Sequence, residues 1–155
     1  MLKGRGFRSG RPWVPSQGCT AVTRIRVLLA DDHPQFSELA ETLLNSTFEV
    51  VAKVGDGWAL FDAALKLKPD VIVTDISMPL LNGIEAARSL KGSGCTSPVV
   101  FLTAHGGGDF IHACLAAGGL GFVSKRRMAT DLIRAIWEAL RGHIFVSPLA
   151  TSATG

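Results

Sequence analysis

The sequence predicts an α/β domain built on a parallel sheet with helices on both faces. Three observations point there. Short apolar runs alternate five times with longer segments of helical period, starting at residue 25. The runs are continuously apolar rather than alternating, as strands buried on both faces require. The connections are long enough to hold a helix, which a parallel crossover needs.

The elements follow in order. Residues 25–30 (IRVLLA) read as the first strand, bounded by Asp31 and Asp32. Pro34 opens a helix in which Phe36, Leu39, Ala40, Leu43 and Leu44 share one face, with Glu38 and Glu41 opposite. Residues 48–54 read as the second strand, 55–57 as a turn, and 58–67 as a helix that Pro69 closes. Residues 71–74 form the third strand, and Asn82-Gly83 leads into a helix through about Leu90. Residues 99–102 are the fourth strand, about 109–117 a helix, 121–123 a short fifth strand, and 130–140 the last helix. Trp137 on that helix is expected in the core or at an interface.

Residues 1–23, rich in Gly, Arg, Ser and Pro, have no apolar periodicity and read as a disordered extension. They have no apolar stretch that a secretory signal would need; an organelle transit peptide, an upstream start codon and a cloning remnant stay open. The domain is expected over 24–147, followed by a flexible tail over 148–155.

Charge confirms the division. The chain of 155 residues has net charge +3, yet residues 1–26 hold six basic groups and no acid, so ten basic and thirteen acidic residues leave the remainder at −3. The folded part therefore carries the wrong sign for a nucleic-acid-binding domain. No apolar run approaches the roughly 20 residues of a membrane helix. The odd cysteine count, Cys19, Cys95 and Cys114, fits a reducing, cytoplasmic setting, with buried or tail thiols rather than metal or redox centres. The four histidines show no helical metal-binding spacing, so no zinc site is read.

Ligands of open α/β sheets bind beyond the carboxyl ends of the strands. There the unusual polar residues gather: Asp31 and Asp32 after the first strand, Asp75 at the end of the third, Thr103 at the fourth, Lys125 after the fifth. Clustered carboxylates need a compensating cation, and oxygen-only donors favour a hard divalent ion, Mg²⁺ above all. A lysine and a hydroxyl facing them suit a phosphoryl group, and one carboxylate can act as nucleophile and form an acyl phosphate.

At these residues the chain resembles the response-regulator receiver domains of bacterial two-component signalling. The likeness rests on LLADDHP, DVIVTDISMPLLNG, VVFLTAH and GFVSK; the DDHP start and the ending IRAIWEALRGHIFVSP look most like LuxR-type and FixJ-type receivers. It implies a flavodoxin-like (βα)5 fold with five strands in the order 2-1-3-4-5. It also implies Asp75 as phosphoacceptor, Mg²⁺ held by Asp31 and mainly Asp32, with Asp75 and the Ser77 carbonyl, and Thr103, the Ala104 N–H and Lys125 on the phosphoryl group. Phe122 would occupy the switch position with Thr103, without the hydroxyl of the Tyr found in many members.

Arg126 replaces a frequent Pro, adding charge with Arg127, and His105 sits where the lifetime of the phosphoryl group is set. The implied donor is a sensor histidine kinase or phosphotransfer protein. The chain would catalyse its own phosphorylation and dephosphorylation while serving mainly as a switch. Output, or a homodimer, would use the surface of the fourth helix, fifth strand and fifth helix.

Other readings stand beside this one. Asp31-Asp32 suits a helix cap, and each other site residue suits a loop or solvated role when taken singly. Gly106-Gly107-Gly108 lacks the Gly-Lys-Ser/Thr continuation of a P-loop and reads as a flexible connection. A phosphorylation-independent interaction module and a flavin- or nucleotide-binding protein are further classes, the latter disfavoured by ADDHP after the first strand. No DNA-reading helix-turn-helix is visible, so sequence-specific DNA binding by this chain is not expected; a receiver taken from a longer LuxR-type transcription regulator is the alternative.

Overall fold

A computed structural model describes residues 24–104 and 108–148. The expected N-terminal extension, His105, Gly106, Gly107 and the residues from 149 onward lie outside the described residues.

The elements run β1 (Arg26–Ala30), α1 (Pro34–Asn45), β2 (Glu49–Val54), α2 (Gly57–Leu67), β3 (Val71–Asp75), α3 (Gly83–Gly92), β4 (Val99–Thr103), α4 (Gly108–Ala116), β5 (Gly119–Ser124), α5 (Met128–Leu140) and β6 (Phe145–Val146). The strands form one parallel sheet in the order β2-β1-β3-β4-β5-β6. The flavodoxin-like order is as expected, but the sheet has six strands where five were expected. Ser147 N–H donates to the Phe122 carbonyl at 2.8 Å and fastens this last strand to β5. Two residues are too short to show a strand period in a sequence.

Opposite faces of each strand feed opposite cores. Leu28, Ile72, Phe101 and Phe122 pack toward α2, α3 and α4, whereas Val27, Leu29, Val73, Leu102 and Val123 pack against α1 and α5 with Leu44, Leu132 and Ile136. This two-sided burial accounts for the uniformly apolar strands. Trp137 is 39% exposed and tilts onto buried Phe48 at 5.2 Å between ring centres, so it edges the α1–α5 core.

Local signals set the helix boundaries. The expected turn at 55–57 is shorter, because Asp56 caps α2 by accepting the Ala59 N–H at 2.8 Å and Gly57 is already helical. Lys68, in the left-handed region at φ 49°, ends that helix before Pro69. Asn82 caps α3 in the same way by accepting from Glu85 N–H. Gly83 has a packing reason to be glycine: a Cβ there would lie 2.1 Å from the Asp75 carbonyl oxygen. Any side chain would push α3 away from the strand that carries Asp75.

Candidate functional site

Strand register assembles the site. β3 pairs Asp75 with Leu102 of β4, which brings Thr103 one residue beyond Asp75; β4 in turn pairs Thr103 with Ser124, so Lys125 comes next. Asp31 and Asp32 follow β1, the other neighbour of β3. Asp31, Asp75, Thr103 and Lys125 are all buried, while Asp32 stays exposed. His33, Asp75, Ile76, Ser77, Thr103, Ala104 and Lys125 bound a cavity of about 150 Å³.

The Lys125 ammonium, with a side chain only 2% exposed, lies 2.9 Å from Asp31 Oδ2 and 3.1 Å from Asp75 Oδ2. It donates a hydrogen bond to Asp75, and it sits 4.5 Å above the centre of the Phe36 ring from α1. Burying an ammonium is costly unless such partners surround it. After it the chain enters a 3-10 turn, Lys125–Arg127, in which Ser124 Oγ accepts the Arg126 N–H at 3.3 Å. That is the local course of the backbone where Arg126 replaces the frequent proline.

Asp75 is under electrostatic tension. Burial raises its carboxyl above the usual aspartate value, Lys125 works against this, and the nearby Asp31 charge raises it further. Ser77 N–H reaches Asp75 Oδ1 at 3.3 Å. The loop beyond it makes a tight turn in which Leu81 N–H donates to the Pro79 carbonyl around Leu80, whose φ is 70°. A branched aliphatic residue in that region is strained, and here the strain lies five residues from Asp75.

Asp31 Oδ2 is buried and makes no hydrogen bond among the described residues, its charge being met by the Lys125 ammonium 2.9 Å away. Three carboxylates, Asp31, Asp32 and Asp75, against that one ammonium leave negative charge that a further cation would offset. Donor atoms of Asp31, Asp32, His33 and Asp75 all lie within 4.8 Å of one another, close enough to share one ion. The residues present fit a small divalent cation.

Two residues near the chemistry were not legible in the sequence. His33 stands over the cluster, with Nδ1 3.3 Å from Asp31 Oδ1, 3.1 Å from Asp32 Oδ1 and 3.6 Å from Asp75 Oδ2. Phe36, read only as a core residue of its helix, is the ring beneath Lys125. The one available signal was adjacency, since His33 follows the acidic pair directly. Phe122 is buried, opposite Phe101 in the β4–β5 register. Burial pushes the Cys114 thiol up to about 12, which keeps it protonated and unreactive.

A doubly wound parallel sheet with buried aspartates facing a buried lysine at its carboxyl edge defines a class of signalling domain. The family described as Response regulator receiver domain matches residues 27–137, and the chain belongs to it. It is 33% identical to the transcriptional regulatory protein DegU of Brevibacillus brevis, over 83% of this chain and 55% of DegU. It is 31% identical to the nitrate/nitrite response regulator protein homolog of Haemophilus influenzae, over 80% of this chain and 61% of that protein. Thus the chain spans little more than half the length of these curated relatives.

Among solved structures it resembles a LuxR-family two-component response regulator from Aurantimonas, with a TM-score of 0.79 and 29% identity, covering 84% of this chain and 94% of that one. It also resembles the non-phosphorylated receiver domain of RcsB from Escherichia coli, with a TM-score of 0.72 and 28% identity, covering 80% and 98%. Among the described residues no helix is long and apolar enough to cross a membrane.

Proposed function

We propose that this receiver takes a phosphoryl group onto Asp75 from the phosphohistidine of a sensor kinase or phosphotransfer protein, or from a small acyl phosphate, with Mg²⁺ as cofactor. The observation that carries the reading is the buried Asp75 carboxylate held 3.1 Å from Lys125 at the wall of a small cavity. An Asp75 oxygen attacks phosphorus; the O–P bond forms as the N–P bond to the donor imidazole breaks, and the imidazole keeps the electron pair. Lys125 is already in place to balance charge on the phosphoryl oxygens. Thr103 and the Ala104 N–H, both at the cavity wall, take the remaining oxygens.

Asp31, Asp32, Asp75 and the Ser77 carbonyl would hold the ion. When bound, it supplies positive charge that screens the acidic cluster and the incoming phosphoryl group. Occupation of the cavity draws Thr103 toward Asp75 and alters the packing of Phe122, which changes the surface of α4, β5 and α5. Output is then by protein contact. A second reading follows from kin: several longer relatives are named transcriptional regulatory proteins, and on that reading this receiver governs a DNA-binding output domain.

The test is to incubate the full chain with acetyl phosphate, with Mg²⁺ or with a chelator, and to weigh the intact protein. One phosphoryl adduct that needs Mg²⁺ is expected. No adduct, under conditions that label a control receiver, overturns the reading.

A further inference from the structure

β6 ends the sheet and lies along β5, with Phe145 opposite Gly121 and Val146 opposite Phe122. It therefore covers the outer edge of β5, which belongs to the surface proposed above for output. Two paired residues hold little by themselves. Side chains make up the difference. Val146 packs on the core cluster that contains Phe122, and the Arg134 guanidinium lies 5.6 Å from the centre of the Phe145 ring. Ser147, just beyond the strand and fully buried, donates from Oγ to Asp131 Oδ2 at 2.5 Å.

These anchors lead back to the candidate site by two short routes. Ser147 N–H donates to the Phe122 carbonyl at 2.8 Å, and Phe122 precedes Lys125 by three residues. Asp131 also accepts from Arg127 Nε at 2.9 Å, and Arg127 closes the 3-10 turn that Lys125 opens. Lys125 in turn is fixed by Asp75, 3.1 Å away. A phosphoryl group on Asp75 places new anionic oxygens in the cavity and draws the Lys125 ammonium toward them. The turn then shifts, and both routes carry the shift to β6. Every anchor of β6 is already made with the unmodified carboxylate in place, so this shift loosens the strand.

Resting on the reading of Asp75 as phosphoacceptor, we propose that β6 is an autoinhibitory strap. It stays docked while Asp75 is unmodified and is released when Asp75 carries a phosphoryl group, which uncovers the β5 edge within the output surface. An uncovered strand edge offers unpaired N–H and C=O groups, so release changes what that surface can bind. By linkage, weakening the strap strengthens binding at Asp75 by the same factor.

The experiment uses the full chain with Mg²⁺ and beryllofluoride, a phosphoryl mimic that occupies an aspartate carboxylate, and follows bound fluoride by ¹⁹F magnetic resonance. Amide hydrogen exchange is read with and without the mimic. In wild type the Ser147 amide should exchange about tenfold faster once beryllofluoride is bound, while amides of β1 and β3 do not speed up. Ser147→Ala, which touches no residue of the site, should bind beryllofluoride more tightly, by up to about tenfold, because one hydrogen bond to a charged group no longer holds the strap. A variant that is merely destabilised would bind no better than wild type. Bound beryllofluoride that leaves Ser147 exchange unaltered or slows it overturns this proposal alone, as does equal or weaker binding by Ser147→Ala. Failure of wild type to bind beryllofluoride overturns the phosphoacceptor reading, and the strap with it.

Discussion

Asp75 and Asp131 are both nearly excluded from water, at 3% and 6% exposure, yet their surroundings treat the negative charge oppositely. At Asp75 burial and the Asp31 charge outweigh Lys125, and the carboxyl is held above its ordinary value. At Asp131, on α5, burial also acts upward, but hydrogen bonds from Arg127 and Ser147 and the Arg127 charge outweigh it, and the carboxyl is held below. Arg127 Nε donates to Asp131 Oδ2 at 2.9 Å and Ser147 Oγ to the same oxygen at 2.5 Å. The two sites lie at opposite ends of one short segment, since Arg127 follows Lys125 by two residues. Burial alone says nothing of role: the satisfied carboxylate clamps β6 to α5, and the undersatisfied one is left with bonding capacity for chemistry.

The largest effect should come from breaking the unbalanced site. Lys125→Ala leaves Asp31 and Asp75 facing each other in a buried setting, and a loss of about 3 kcal/mol in urea unfolding is expected, together with loss of acetyl phosphate labelling. Asp131→Ala should cost about 2 kcal/mol, since it strips partners from Ser147 and the half-buried Arg127, while labelling persists. Ser147→Ala, which removes one hydrogen bond to a charged group, should cost about 1.5 kcal/mol and speed amide exchange in residues 145–147.

The pH dependence separates the two aspartates more finely. The Asp75 value in the fold lies above 3.8, so its charged form burdens the native state. In chelator, Asp75→Asn should therefore melt above wild type at neutral pH, by a margin that shrinks as pH falls through the folded value and vanishes below 3.8. Asp131 has the opposite sign: its contribution is present above 3.8 and is lost only as pH falls through its lower folded value. The deficit of Asp131→Asn should persist down to pH 3.8 and narrow below it. Equal trends for both variants in thermal scans would contradict the contrast.

Much of the contrast was legible in part. Asp31, Asp32, Asp75, Thr103 and Lys125 stood out because each interrupts or ends an apolar strand, and in a parallel sheet all such ends share one edge. The uniform strands followed from two-sided burial, whereas Phe122 was singled out only by the family resemblance. His33 and Phe36 escaped because their contacts depend on the reversal of the chain after β1, which no periodicity records. The Asp131–Ser147 clamp escaped because it joins a helix to a strand of two residues across sixteen positions, with Ser147 looking like an ordinary loop serine.

The central claim, that the undersatisfied aspartate is the reacting one, is tested most directly by locating the acyl phosphate. Wild type treated with acetyl phosphate and Mg²⁺ is reduced with borohydride, which converts a phosphorylated aspartate to homoserine, and is then mapped by peptide mass spectrometry. Homoserine at position 75 and at no other aspartate is the predicted result. Homoserine at 31, 32 or 131 with position 75 unaltered would contradict the account.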